Sequence, residues 1–405
     1  MSFWNKKRLY MDYAAATPIH KKVKRLMEQI EHQNFANPGA IHTEGRAVKA
    51  ILENARLRLA RVLTVRPEEV LFTGSGTESN NIAIQGIISA LETNKVAIDD
   101  MSIITTQLEH PSVSKVLEKL KAKGVNVKLV DVDNVGKIDI DHFIKLLDKK
   151  VKLVTFSYAN SEIGVVQDVR KLSKIVRRFN QENKTTIKIH LDASQAPLWL
   201  SCQVPSLGVD IMTLDAGKCN GPKGVGVLIK KRAVDIDPIL YGGGQEAGLR
   251  SGTENFIAIA GAVEAIILAQ ADYKSKSKEI LKTSGVLWSS ISAIIPEAIW
   301  NGPSLKDVGD RLPNNVHISL PGYDTEFTAV ELDNKGVAVS TKSACSGAGG
   351  GESTAVKAIS GDAVRAQSTL RFTLDPNLKP TQVKKVSILL RQHLDKMKPY
   401  LKVTK

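Results

Sequence analysis

Between residues 70 and 230 short apolar runs take turns with longer amphipathic ones, and this alternation constrains the fold more than any other feature. Val70 to Thr73 reads as a strand and Thr77 to Leu91 as a helix. Ser102 to Thr106, Val125 to Val132 and Lys152 to Tyr158 read as strands, with helices at Ser112 to Ala122, Ile140 to Leu147 and Val169 to Asn180. Ile187 to Leu191, Ile211 to Leu214 and Val225 to Ile229 complete the series. Strand and helix in steady turn predict a mostly parallel sheet with helices on both faces. Ligands of such sheets bind beyond the carboxyl ends of the strands. After the glycine-rich stretch Tyr241 to Gly252 the pattern changes. A long apolar helix starts near Glu254 and ends near Gln270, and helical segments follow at Lys278 to Ile291 and Thr381 to Met397. Strands at Asn315 to Ser319 and Leu370 to Thr373 suggest a smaller α+β domain on an antiparallel sheet. The expected division is a large α/β domain over residues 15–260 and a small one built from 1–14 and 261–405, within what 405 residues allow.

Composition excludes several classes. No run of about 18 apolar residues predicts a membrane-spanning helix, and the start, Met1 to Arg8, lacks the apolar core of a secretory signal. Three cysteines (Cys202, Cys219, Cys345) are too few for a disulfide framework and fit a reducing cytosol. They also lack the spacing of a zinc site, so no metal is expected. The net charge of +14 is spread along the chain with no aromatic-rich basic module. It reads as a solvated basic surface, with no direct nucleic-acid binding expected.

Against that frame, Lys218 stands out. It follows the apolar run Ile211 to Leu214, and Gly221-Pro222-Lys223-Gly224 turns the chain into the next strand. A lysine held between buried strands favours its neutral amine, which can form an imine with an aldehyde such as pyridoxal phosphate; an exposed turn lysine is the plainer alternative. Six other stretches bear on the choice. Phe72 to Ser79 joins strand to helix through Gly74-Ser75-Gly76-Thr77, where bare N–H groups and the helix dipole can receive a phosphate, or where a turn is simply capped. His110 follows a strand and could stack on a planar ring, or be structural. Asp192 ends an apolar strand, where it could pair with a pyridine nitrogen or cap a helix. The loop Gly242 to Thr253 carries five glycines, Arg250 and Thr253, and reads as mobile and functional. Cys345, in the polar loop Ser343 to Gly351, reads as a travelling nucleophile. Arg371 interrupts a strand and could grip a substrate carboxylate or pair with a nearby acid.

Taken together, Asn37-Pro38 with His42, Thr73 to Asn81, Glu109-His110, Tyr158 to Gly164, His190 to Gln195, Lys218 to Gly224, Gly242 to Asn255 and Ser343-Ala344-Cys345 resemble the cysteine desulfurases of the NifS/IscS type, pyridoxal-phosphate enzymes of the class V aminotransferase group. The resemblance runs from Asp12 to the tail. It implies an aspartate-aminotransferase-like, fold-type-I transferase that converts L-cysteine to L-alanine and leaves a persulfide on Cys345. By the same resemblance Lys218 would bind the cofactor's aldehyde and move protons, Gly76 and Thr77 would hold its phosphate, and His110 would stack on its ring. Asp192 would pair with the ring nitrogen, Gln195 with the ring oxygen, and Asn160 would touch the ring. Thr253 would reach the phosphate in a partner subunit, implying a homodimer. Arg371, with Asn37 or its neighbours, would hold the substrate carboxylate. The implied partner is a sulfur acceptor, such as an iron–sulfur scaffold or a tRNA-thiolation protein, in the cytoplasm. The spacing from Cys345 to Arg371 is similar to the subgroup with a long cysteine loop.

Three departures stand against the family pattern. Asp215 and Gly217 replace the usual serine and histidine before the lysine, Ser161 replaces an asparagine, and Gly347 to Gly351 follow Cys345. An acid at 215 would repel a phosphate, so the expectation is that Asp215 turns away. Thr77, the helix N-terminus and a partner's Thr253 would then carry the anion. A selenocysteine lyase, another class V aminotransferase and a non-catalytic scaffold with a decayed site are the competing functions.

Overall fold

The computed structural model describes residues 8–341 and 351–400. Its main sheet has seven strands in the spatial order Val70–Thr73, Gly226–Lys230, Ile211–Asp215, Lys188–Asp192, Val151–Ser157, Ser102–Thr106 and Asn126–Val130. Only Gly226–Lys230 runs antiparallel to its neighbours, and the other pairings are parallel. The inner strands are apolar on both faces because helices cover both; Leu191, Leu214 and Val227 are fully buried. Each such side chain contributes about 2 kcal/mol of burial.

A second sheet has three antiparallel strands, with Asn315–Ser319 between Thr369–Thr373 and Ile299–Trp300. The N-terminal strand Leu9–Tyr10 pairs in parallel with Val337–Ala338, and Asp12 bridges to Thr373. Residues 9–12 therefore lie beside the C-terminal third before the chain crosses to the main sheet.

One helix corrects the sequence-based expectation. The two segments expected at 254–270 and 278–291 are a single helix, Phe256–Ile294, of 39 residues. Ala271 to Ser277 joins them because that polar stretch holds neither Gly nor Pro to break it. The helix is long and apolar enough to cross a membrane. Its Ile259, Ala262, Val263 and Ile266 are packed into the protein core instead.

Candidate active site

A cleft of about 820 Å³, its open mouth included, lies beyond the carboxyl ends of five main-sheet strands. Thr73 leads to the turn before Gly76, Thr106 to His110, Ser157 to Asn160, Asp192 to Gln195, and Asp215 to Lys218. Seven of the expected site residues line it: Gly76, Thr77, His110, Asn160, Asp192, Gln195 and Lys218.

Lys218 ends a short 3-10 turn, and its Nζ donates to the carbonyl of Ala14 at 2.8 Å. Gln195 Nε2 donates to the same carbonyl at 2.9 Å. The N-terminal segment thus closes one side of the cleft, and Ala14 is held there by a hydrogen bond from its N–H to Thr373 Oγ1. Asp192 is buried, with Oδ2 accepting from Asn80 Nδ2 at 2.8 Å and Oδ1 from Ser194 Oγ at 2.6 Å. Asn80 lies one helical turn beyond Gly76, which brings both to the same wall; its Oδ1 is buried without a partner.

His110 caps the helix Pro111–Ala122 and faces the same cavity. The Ser112 backbone N–H donates to His110 Nδ1 at 3.1 Å, and the Ser112 hydroxyl, which accepts from Asn80, lies 2.8 Å from the same nitrogen. The imidazole then carries its hydrogen on Nε2. Burial holds its pKa below the ordinary value, with the Lys218 charge acting the same way and Asp192 opposing. Beside it Glu109 accepts from Thr106 Oγ1 and Ser157 Oγ. Burial, with Asp192 adding a little, pushes its carboxyl up to about 7 despite those hydrogen bonds.

Other expected residues sit differently. The Asn160 side chain bonds to its surroundings at both ends, donating to Leu108 O and accepting from the N–H groups of Glu162 and Ile163. It shapes the wall rather than offering a free amide. Arg371 is buried in the second sheet; it donates to Asp12 Oδ1 at 2.8 Å and to the carbonyl of Ser161, a cleft residue, at 3.1 Å. Its Nε is buried without a partner. Asn37 lines a different pocket, with Gln245 and Glu246, and Thr253 is exposed ahead of the long helix. Within one chain neither joins the cleft around Lys218. The glycine-rich loop, expected to be mobile, is pinned twice. Glu246 pairs with Arg56 at 2.8 Å and accepts from Phe72 N–H, while Arg250 pairs with Glu78. Cys345 lies outside the described residues. Cys219 is buried, and desolvation pushes its thiol well up, as burial does that of Cys202.

The expectation that Asp215 turns away does not hold. Its Oδ1 accepts from Gly217 N–H at 2.9 Å, and its Oδ2 lies 3.4 Å from Gly76 N–H, at the start of the helix Gly76–Thr93. An Asp side chain bonding the N–H two residues on is a local turn habit. Here that habit aims the carboxylate at the start of the helix, where a phosphate was expected to sit. The sequence offered no signal for Ala14, whose carbonyl does the work, and only the i, i+4 spacing from Gly76 could have pointed to Asn80.

A lysine, a neutral imidazole and a buried carboxylate meet at the strand ends of a mostly parallel sheet. That is the architecture of the fold-type-I, pyridoxal-phosphate-dependent transferases. Residues 9–386 match the family described as aminotransferase class-V. A cysteine desulfurase IscS of Dictyoglomus turgidum is 35% identical over 369 residues, covering 91% of this chain and 90% of the relative. A solved NifS-like protein superposes with a TM-score of 0.87 at 31% identity, over 96% of this chain and 99% of its own. SspA, solved in complex with cysteine, gives a TM-score of 0.74 at 26% identity, over 91% and 99%. The chain belongs to the class V aminotransferase family, among the cysteine desulfurases of the NifS/IscS type.

The family's cofactor, pyridoxal phosphate, fits the residues present. Asn80 Oδ1 lacks a donor, and the Asp192 carboxylate keeps lone pairs for a protonated ring nitrogen. Gly76 leaves a cradle that a Cβ would narrow, standing 3.1 Å from Ser194 Oγ and 3.2 Å from Asp215 Oδ2. The fit is good at the ring end, whereas the phosphate end already holds a carboxylate.

Proposed function

We propose that this protein is a cysteine desulfurase that binds pyridoxal phosphate and moves sulfur from L-cysteine to Cys345. The observation that carries this is the meeting of Lys218, His110 and Asp192 in one cleft of a chain from this family. When bound, pyridoxal phosphate supplies an electron sink for bonds at the amino acid's α-carbon. Lys218 would hold the aldehyde end, its Nζ exchanging the Ala14 carbonyl for the cofactor and later carrying protons. Asp192, fixed by Asn80 and Ser194, would keep the ring nitrogen protonated. His110 would lie against the ring, Gln195 would face the ring oxygen, and Asn160 would shape the pocket. Gly76 and Thr77 would meet the phosphate. Arg371 would receive the substrate carboxylate in place of Asp12. Cysteine and the Cys345 thiol would become alanine and a persulfide, a balance that needs no outside oxidant or reductant.

A homodimer completes this proposal. Phe35 (85% exposed), Ile41 (88%) and Tyr241 (79%) leave large apolar surface open on the segments that flank Asn37 and Thr253. A second copy covering them would bring its Thr253 and Asn37 to the cleft. The persulfide would pass to a sulfur-acceptor protein, such as an iron–sulfur scaffold or a tRNA-thiolation protein, in the cytoplasm. The large unit over 15–260 and the small one from 1–14 and 261–405 remain our proposed division.

Purified protein is expected to be yellow and to release sulfide from cysteine in the presence of a thiol reductant. Lys218→Ala should lose the colour and Cys345→Ala should keep it while losing turnover. The Asp215 carboxylate favours one rival, a non-catalytic relative with a decayed site. Colourless protein that gains neither colour nor turnover on adding the cofactor would establish that rival and end the desulfurase proposal.

A further inference from the structure

We propose that Asp215 is an internal occupant of the anion seat at the start of the helix Gly76–Thr93, and that it sets how strongly the cleft selects a phosphorylated ligand. This rests on the cofactor reading given above. The seat is made of backbone donors. Of the first three N–H groups of the helix, Gly76 N–H faces Asp215 Oδ2 at 3.4 Å and Glu78 N–H is met by Ser75 Oγ at 3.1 Å. Gly74 N–H, in the turn just before, is met by Glu78 Oε2 at 2.8 Å. Glu78 is neutralised by Arg250, whose Nε lies 2.8 Å from Oε1. Among the described residues the Asp215 carboxylate has only backbone N–H groups as hydrogen-bond partners, those of Gly76 and Gly217. A negative side chain held by the partial positive charge of a helix start is satisfied until a stronger anion arrives. Asn80, one turn along the same helix, lines the same cleft and holds a buried Oδ1 that no described residue meets.

A phosphate dianion entering beside Gly76 meets a carboxylate of like charge, or must displace it from two hydrogen bonds. A ligand with the same ring but no phosphate meets neither obstacle. Asp215 therefore lowers affinity for the phosphate group alone and leaves ring recognition untouched. It also fills the turn when no ligand is present, so cofactor would load in proportion to its concentration rather than being held permanently.

The test is a pair of titrations of apo-protein, with pyridoxal phosphate and with pyridoxal, following the absorbance of the bound chromophore. Wild type, Asp215→Ser and Asp215→Asn are compared; the asparagine keeps the shape and covers the case in which the serine variant folds poorly. The expected result is at least about tenfold tighter binding of pyridoxal phosphate by the variants, with pyridoxal changed by less than about twofold. Inorganic phosphate, which carries no ring, should raise the melting temperature of the variants and leave that of wild type unmoved. Affinities for the two compounds that shift together, or not at all, would overturn the inference while Lys218-dependent colour keeps the cofactor reading intact. Failure of all three proteins to bind either compound would overturn both.

Discussion

Two places each hold a carboxylate of the chain, one in the cleft and one behind Ser161 of its wall, yet they hold it by different means. At the start of the helix Gly76–Thr93, the Asp215 carboxylate is met by backbone N–H groups and by no formal positive charge among the described residues. Behind Ser161, Asp12 meets the buried guanidinium of Arg371, whose Nε has no partner among the described residues. Backbone donors are fixed in place and carry partial charges, so they grip any anion of the right shape and lose little when it leaves. A buried guanidinium must be paired at all times, because a lone charge in that setting is costly. One place is thus a seat that tolerates exchange, and the other is a clamp that demands an occupant.

The largest expected effect tests that difference directly. Arg371→Ala should destabilise the apo-protein by about 3–5 kcal/mol in urea unfolding, since it leaves Asp12 unpaired and removes a large buried side chain. Asp215→Ala should cost only about 1 kcal/mol, the value of a helix-cap interaction. Equal losses at the two sites would erase the distinction between seat and clamp.

A smaller effect separates the cleft wall from either place. The Glu109 carboxyl is raised from an ordinary 4.5 to about 7. The folded protein therefore keeps a proton that the unfolded chain gives up in this range. The stability that goes with it is fully present below about 4.5 and is lost as pH rises through about 7. Apo-protein should lose on the order of 2 kcal/mol relative to Glu109→Gln between pH 5 and 8. Parallel melting curves for the two proteins across that range would show that Glu109 is ionised throughout.

How much of this was legible in the sequence depends on what kind of group acts. Lys218, Asp192 and His110 could be placed because each follows an apolar run, and strand ends converge in a parallel sheet. Arg371 was legible as an interrupted strand, and the acid alternative named for it is Asp12. Ala14 acts through a carbonyl, which every residue has, so no residue type announces it. The orientation of Asp215 follows from a local partner, Gly217 N–H, and not from repulsion by a ligand's phosphate. Asn37 and Thr253 lie away from Lys218 in the single chain, and one sequence does not say which residues meet across two copies. The division of the helix Phe256–Ile294 into two reflected a polar stretch that carries no breaker.

Asp12→Asn sharpens the clamp at Arg371. The asparagine oxygen can still accept from Arg371 but brings no charge, so a substrate carboxylate would displace it more readily. The KM for cysteine should fall about threefold with kcat little changed, at a stability cost of about 2 kcal/mol, because the buried guanidinium loses its charge partner but keeps a hydrogen bond. A raised KM would mean that Asp12 orients Arg371 for the substrate instead of competing with it.

The smallest effect is a coupling at the seat. A Cβ at Gly76 would stand 3.2 Å from Asp215 Oδ2 and 3.1 Å from Ser194 Oγ, both tighter than ordinary contact. The sign of the Gly76→Ala change alone is not informative, because a helix gains from alanine what the crowding loses. The cycle with Asp215→Ser removes that ambiguity. Helix propensity is the same in both backgrounds and cancels, so the coupling reports only the contact between position 76 and the Asp215 side chain. A coupling of about 0.5 kcal/mol or more, with Gly76→Ala better tolerated in the serine background, is expected from two side chains in contact. Strict additivity would place the carboxylate away from Gly76, and Asp215 would then no longer be the occupant of the seat.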